Sequence, residues 1–241
     1  GGSIWATVGT LTGSGVFTAN GGLRYWGEQP ASGGGGGRVA VYYAVNGGFT
    51  GFNTSTANGG PGAEPGTVAF IDRIGNDLEV TGGQTFAIAQ DSVVSFADVT
   101  IHNGSRLVIG GGATLNVAGT LLLSGTSTIV AQGKNVTAQV GGQWAGQGVT
   151  ISAANVQVDA GSTISADSQG YTGGATGQPG NGPGGGGGTA VYDSAGGSYG
   201  GLGTTTGCCS AGPIYGSASA PVDLGSGGGG QAASSRAFKY A

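Results

Sequence analysis

Residues 106–131 read RLVIGGGATLNVAGTLLLSGTSTIVA. Each short apolar segment carries three or four residues of β character with a rough period of two, and each ends in Gly, Ser, Asn, Asp or Ala. The pattern extends outward through LEVTGGQ, TFAIAQDS and VVSFADVTIHNGS on one side. On the other it runs through NVTAQVGG, VTISAAN, VQVDAGS and TISADSQG. The spacing is about 7 residues, tighter than the 8–12 residues of sandwich strands joined by hairpins. It suits a coil of about 21 residues built from three short strands and three corners. Stacked coils pair parallel strands about 4.8 Å apart, so inward Val, Ile and Leu form ladders. Val108, Leu115, Leu122 and Ile129 recur every seven residues and are candidate inward positions. Gly and Asn at the corners accept positive φ at little steric cost. The competing architecture is an antiparallel sandwich.

Composition points the same way. Of 241 residues, 59 are Gly and 18 are charged, 7 Lys+Arg against 11 Asp+Glu, with one His and no Met. A helical protein is excluded in practice: Gly costs about 1 kcal/mol per helical site, and Val and Ile outnumber Leu, which favours strands. The Gly residues keep no third-position register, so this is not collagen. A formal charge of −4 with scattered basic residues gives no footprint for nucleic acid. No run of about 18 apolar residues calls for membrane insertion. The chain opens Gly1-Gly2-Ser3-Ile4-Trp5, with neither an initiator Met nor a signal peptide; it reads as a processed product or excised fragment. Low charge, no Met and abundant Gly, Ser, Thr and Ala suit an exported protein.

A longer unit overlays the short one. Thr18-Ala19-Asn20, Thr56-Ala57-Asn58 and Ser165-Ala166-Asp167 share the pattern [ST]-A-[ND]. A strand precedes each motif, a Gly-rich stretch follows it (21–37, 59–66 and 170–188), and a strand then resumes at 38–43, 67–72 and 189–193. The stretches read as loops leaving and rejoining the coil stack; the alternative is that the Gly runs are ordered themselves. Two regions follow: 1–170, a β-solenoid with Gly-rich excursions, and 171–241, a Gly-rich segment docking on the solenoid or on a neighbouring subunit. The second has 23 Gly and six Leu, Ile, Val or Phe, too few to order itself by side-chain burial. It packs backbone to backbone, docks on a partner, or is disordered.

The stretches GGSIWATVGTLTGSGVFTANGG, GGGGGRVAVYY, GVTISAANVQVDAGSTISADSQGY and APVDLGSGGGG resemble the Gly-rich repeats of very large bacterial secreted or cell-surface, adhesin-like proteins. The resemblance implies a right-handed parallel β-helix with Gly-rich protrusions and an extracellular location, and it carries no catalytic residues. A fainter likeness is to phage tip adhesins whose Gly-rich motifs pack as polyglycine helices.

Chemistry-bearing residues are sparse. His102 is the one candidate base and lacks a nucleophile elbow; a solvent-facing strand position is expected for it. Asp91 and Asp98 are seven residues apart and Asp159 and Asp167 eight, which in a three-sided coil puts them on successive faces or corners rather than across a cleft, and they read as corner residues capping turns. Arg106 and Lys134 stand apart from any carboxylate cluster. The Gly runs lack the Lys of a phosphate loop. No catalytic, cofactor or metal site is expected. Cys208 and Cys209 are candidates for a vicinal or intermolecular disulfide. The aromatics Tyr25, Trp26, Tyr42, Tyr43, Phe49 and Phe52, and later Tyr171, Tyr192, Tyr199 and Tyr215, are candidate interface or glycan contacts. The expected function is a self-associating extracellular fibre, stalk or surface-matrix module without catalysis, its partner another copy and a surface polysaccharide a further one. An adhesin or glycan-binding module, and an ice-binding β-solenoid, are the alternatives.

Overall fold

A computed structural model describes residues 1–26, 29–190 and 193–231. The chain is all-β. Its strands are β1 (Ser3–Leu11), β2 (Leu23–Trp26), β3 (Gln29–Gly33), β4 (Arg38–Asn46), β5 (Thr67–Asp72), β6 (Leu78–Val80), β7 (Thr85–Ile88), β8 (Val93–Phe96), β9 (Val99–Ile101), β10 (Arg106–Ile109), β11 (Thr114–Leu123), β12 (Thr128–Ala131), β13 (Thr150–Val158) and β14 (Thr163–Ser165). A 3-10 turn spans Phe52–Thr54. One sheet runs β1-β4-β5-β6-β9-β11-β13, with β8 also against β11; a second runs β14-β12-β10-β7; β2 and β3 form a hairpin. Within the two larger sheets every pairing is parallel except β5 with β6.

The registers carry the sequence period. Leu78 faces Val99, Thr85 faces Arg106 and Val93 faces Thr114, each 21 residues on. Val99 faces Leu121 and Arg106 faces Thr128, 22 residues on. Side chains therefore stack on their own kind. Leu78, Val99 and Leu121 form one buried ladder, and Val80, Ile101 and Leu123 another. Phe86, Leu107, Ile129 and Ile164 line up on the second sheet.

The seven-residue reading of the inward positions needs correcting. Leu115 and Ile129 are buried, but Val108 and Leu122 are only partly so; Leu107, Ile109, Leu121 and Leu123 point inward instead. A strand alternates faces with period two, so an odd repeat changes face unless a corner resets it. The inward series Leu107, Leu115, Leu121, Ile129 steps by 8, 6 and 8, which averages close to seven while keeping parity. One adjustment is the register shift between Val117 and Thr120. Corners take left-handed backbone as expected: Asn103 at φ 56° is followed by Gly104 at 72°, and the Gly104 N–H donates to Gly125 O at 2.7 Å in the next corner.

The β5–β6 hairpin divides this unit into two cores. Val68 and Phe70 line up with Val39 and Val41 of β4, whereas Ala69 and Ile71 line up with Val80 and Leu78 of β6. Strand β5 therefore buries both faces, and all four residues are buried. This explains the continuous apolar run TVAFID. The first core holds Leu11, Ala19, Val39, Val41, Tyr43, Phe49, Ala57, Val68 and Phe70. Its [ST]-A-[ND] motifs stack: Thr18 bridges Thr56 in parallel, and the Asn58 N–H donates to Asn20 Oδ1 at 2.7 Å. Gln84 continues this ladder with its side chain. Its Oε1 accepts from Ala57 N–H at 3.0 Å, and its Nε2 donates to Asn58 Oδ1 and Gly82 O.

The chain forms two compact units, one of Gly1–Ala131 with Thr150–Ser165 and one of Gln132–Val149 with Ala166–Ala241. Residues 132–149, within the strand-rich zone of the sequence, thus group with the Gly-rich segment.

The second unit is held by glycine backbone. Segment 225–230 bonds to four other stretches. It accepts from Tyr171, Gly174 and Gly177 N–H and from Gly186 and Thr189 N–H, and it donates to Asn181, Gln178 and Ala195 carbonyls. A sheet strand has two hydrogen-bonded neighbours; this segment has more, on several sides, which requires bare backbone all round. A Cβ on Gly227 would overlap the Thr172 carbonyl, and one on Gly230 the Ala175 carbonyl. The described part of the Gly-rich segment thus packs backbone to backbone. The excursions of the first unit do the same in miniature. Gly34 donates to Gly22 O, Gly60 to Gly34 O, Gly37 to Ala19 O and Gly66 to Ala57 O. These runs are packed layers rather than free loops.

Candidate interaction surface

The large sheet ends on β1 and β13, and the second sheet ends on β14 and β7. Among the described residues, β1, β13 and β14 each present a row of backbone N–H and C=O groups with no further strand beside it, the feature that invites pairing with another chain. At the β13–β14 end the inward ladder is left uncovered. Val156, in register with buried Leu121, is 53% exposed; Val158, against Leu123, is 44% exposed; Ile164, against Ile129, is 40% exposed. At the β1 end Ile4, Ala6 and Val8 are only partly buried against the first core. Trp5 points outward at 82% exposure, its ring 6.4 Å from Tyr42.

The aromatics singled out from sequence fall into distinct places. Tyr43 and Phe49 are buried in the first core with Phe17, Phe52 and Phe70. An interface or glycan role is thereby corrected for Tyr43 and Phe49: a strand position opposite Asp72 and the turn after Asn46 put both rings inside. Phe52 packs edge-on against Phe49 at the edge of that core, 5.0 Å away. Tyr171 is buried in the second unit, 5.3 Å from Trp144, and its hydroxyl accepts from Gly146 N–H at 2.7 Å. Tyr199 and Tyr215 pack 5.1 Å apart, and Tyr215 donates to the Leu224 carbonyl. The Tyr199 hydroxyl is buried with no hydrogen-bond partner, and burial raises its pKa. Tyr42 remains on an outer face. The side chains of Tyr25 and Trp26, and all of Tyr192, lie outside the described residues.

Burial, with Asp72, Glu79 and Asp77 nearby, pushes the Tyr43 phenol from 10.0 up to about 12. In the unfolded chain it ionises at the ordinary value, so between pH 10 and 12 the unfolded state holds fewer protons than the folded one. Stability is then full below pH 10 and falls as pH rises toward 12. Denaturant midpoints across this window are expected to drop in the wild type and to drop less in Tyr43→Phe; equal slopes would contradict the assignment.

The polar candidates are structural in their contacts. His102 Nε2 lies 2.8 Å from Glu79 Oε1, a lateral pair on neighbouring coils rather than a solitary surface residue. Asp98 Oδ1 accepts from Thr120 N–H at 2.6 Å, and Asp98 N–H donates to Asp77 Oδ1, so this aspartate ties one corner to the next. Asp159 Oδ1 accepts from Gln157. Asp91 takes a left-handed corner, φ 59°. Among the described residues no group of three or more His, Cys, Asp and Glu could hold a metal ion. Among them, too, no helix is long and apolar enough to cross a membrane.

Cys208 and Cys209 are free thiols with their sulfurs 3.0 Å apart; Cys208 is exposed and donates to the Asp193 carbonyl. The Cys208 thiol beside it raises the Cys209 pKa. Alkylation of Cys209 by iodoacetamide is therefore expected to accelerate at a higher pH than that of an ordinary exposed thiol, and replacing Cys208 by Ser should lower that pH. Peptide mapping by mass spectrometry reads both; an unchanged profile in Cys208→Ser would contradict the cause.

The residues that sequence reading missed are Gln84 and Ser55, both fully buried. The Ser55 Oγ donates to Gly51 O and accepts from Phe17 N–H. A lone Gln after Gly82-Gly83 and a Ser before a motif carry no pattern of their own.

No family model, curated protein or solved structure matches this chain.

Proposed function

We propose that the chain is an extracellular structural module: a right-handed β-solenoid with Gly-rich packed layers that self-associates through its open ends and performs no catalysis. The observation that carries this reading is the pair of terminal strands, β1 and β13, each with no second strand beside it among the described residues, and the apolar ladder running out to Val156, Val158 and Ile164. Solenoids that stay monomeric cover such ends with a polar cap; an uncovered end favours head-to-tail growth into a fibre or stalk. The extracellular part rests on low charge, the absence of Met and the Gly-rich composition. Negative-stain electron microscopy over a concentration series is the test. Rods or filaments that lengthen with concentration are expected; single particles of constant size at every concentration would overturn the reading.

A second reading, glycan binding, is favoured by the exposed Trp5 beside Tyr42 on an outer face, since flat aromatic surfaces stack on sugar rings. Retention on a polysaccharide panel, lost in Trp5→Ala, would support it in place of the first.

A further inference from the structure

The first coil of the first unit and the coil that closes it share a pattern, with three identical residues and several apolar matches over 18 positions. Residues 3–20, SIWATVGTLTGSGVFTAN, and 150–167, TISAANVQVDAGSTISAD, align without a gap. Ser3 falls on Thr150, Ile4 on Ile151, Ala6 on Ala153, Leu11 on Val158, Phe17 on Ile164 and Ala19 on Ala166. These coils hold the two terminal strands of the large sheet. Inside the unit, neighbouring coils stack like on like in parallel register, Ile4 on Val39 and Leu115 on Ile151. The two end coils match at Ile4 and Ile151, Ala6 and Ala153, Leu11 and Val158, and Phe17 and Ile164, while Val8 falls on Asn155.

Direction permits the contact. The β5–β6 hairpin makes β13 run opposite to β1 within the sheet, and it also moves the inward face to the other side, from Val68 and Phe70 to Leu78 and Val80. A second copy turned over about the stacking direction reverses both at once. Its β1 then lies parallel to β13 with the inward faces on one side. Gly9, opposite Val156, brings no side chain into the joint.

We infer that the partner is a second copy, and that β13–β14 of one copy pair in parallel with β1 and residues 16–19 of the next, Thr150 opposite Ser3 and Ile164 opposite Phe17. This inference rests on the self-association reading and specifies its interface. The contact is heterologous, and a half-turn about the stacking direction combined with a step along it repeats without closing. It covers Val156, Val158 and Ile164 and continues both sheets.

Disulfide trapping tests the register. In a Cys208→Ser/Cys209→Ser background, Trp5→Cys with Ser152→Cys puts two outward thiols opposite each other across the joint. Within one molecule they sit on the terminal strands of the sheet, six strand spacings or roughly 28 Å apart, so the bond forms only between copies. Thiol–disulfide exchange with oxidised glutathione supplies the oxidant: two thiols become one protein disulfide as glutathione disulfide becomes two glutathione thiols. A ladder of covalent multimers is expected on non-reducing gels, at least tenfold stronger than for Thr7→Cys with Ser152→Cys, which is two residues out of register. Sedimentation velocity of the unmutated protein separates the failures. Multimers in sedimentation with no ladder, or with equal ladders in both variants, overturn this interface and leave self-association standing. A monomer at every concentration overturns both.

Discussion

Phe70→Ala is expected to destabilise the first unit by about 3–5 kcal/mol, the range for a buried Phe whose cavity cannot collapse. Phe70 is 0% exposed on the strand that both cores share. Its ring lies 4.8 Å from Phe52, 5.8 Å from Phe49 and 6.0 Å from Phe17. Removing it leaves three rings facing a void and strips Phe17 and Phe52 of an edge-to-face partner, a loss of about 0.5–1.5 kcal/mol per pair already within that range. The strand cannot move in to fill the gap, because Ala69 and Ile71 hold its other face against β6. Val93→Ala, at a 71% exposed outward position, is the control, with a change within about 0.5 kcal/mol. Urea unfolding followed by linear extrapolation reads both. A Phe70→Ala cost no larger than the control's would mean that the ring cluster is not the core of this unit.

Gly227→Ala is expected to unfold the second unit. Gly to Ala at an accommodating position usually stabilises by about 0.4–1 kcal/mol, because the unfolded chain loses freedom. Here the sign reverses. The new methyl would overlap the Thr172 carbonyl, with the Gly173 amide behind it. Gly227 itself donates to Asn181 O and accepts from Gly186 N–H. Moving segment 225–230 aside to relieve the overlap breaks bonds to several neighbours together, and buried backbone groups left unpaired cost about 1–3 kcal/mol each. Gly207→Ala is the paired control, since nothing lies within 4 Å of a Cβ there, and it is expected to be neutral or slightly stabilising. Calorimetry should show the second unit's transition lost in Gly227→Ala and kept in Gly207→Ala. Indistinguishable traces would contradict the backbone packing.

These two substitutions mark how far the sequence could be read. The strand-rich zone was legible because side chains encode it: Leu78, Val99 and Leu121 repeat at coil spacing, and the structure pairs them. Parity within the coil was not, because the 8-6-8 steps from Leu107 to Ile129 average to an apparent seven that selects Val108 and Leu122 wrongly. The reversal at β5 was visible in hindsight as the unbroken apolar run TVAFID. A run of that kind does not say which core each face serves. The glycine layers were the least legible. Glycine has no side chain whose periodicity could report a neighbour, and hydrogen bonding by segment 225–230 depends on residues up to 54 positions away, such as Tyr171 to Gly225 and Gly174 to Gly228. Of the aromatic candidates, Tyr43 faces inward by its parity on β4, and Phe49 lies inside because the Asn46 side chain, which accepts from Gly48 and Phe49 N–H, folds that loop inward; neither cue is carried by composition.

The glycine runs are either framework or linker, and amide hydrogen exchange at Gly227, Gly229 and Gly230 distinguishes the two. Each of these N–H groups donates to a carbonyl of another segment, Asn181, Ala195 and Gln178 respectively. Framework predicts that they exchange as slowly as the slowest amides of the second unit and are released only when it unfolds. Exchange at the rate of an unstructured peptide would show the Gly-rich segment to be a linker, and the proposed building block would lose half of its frame.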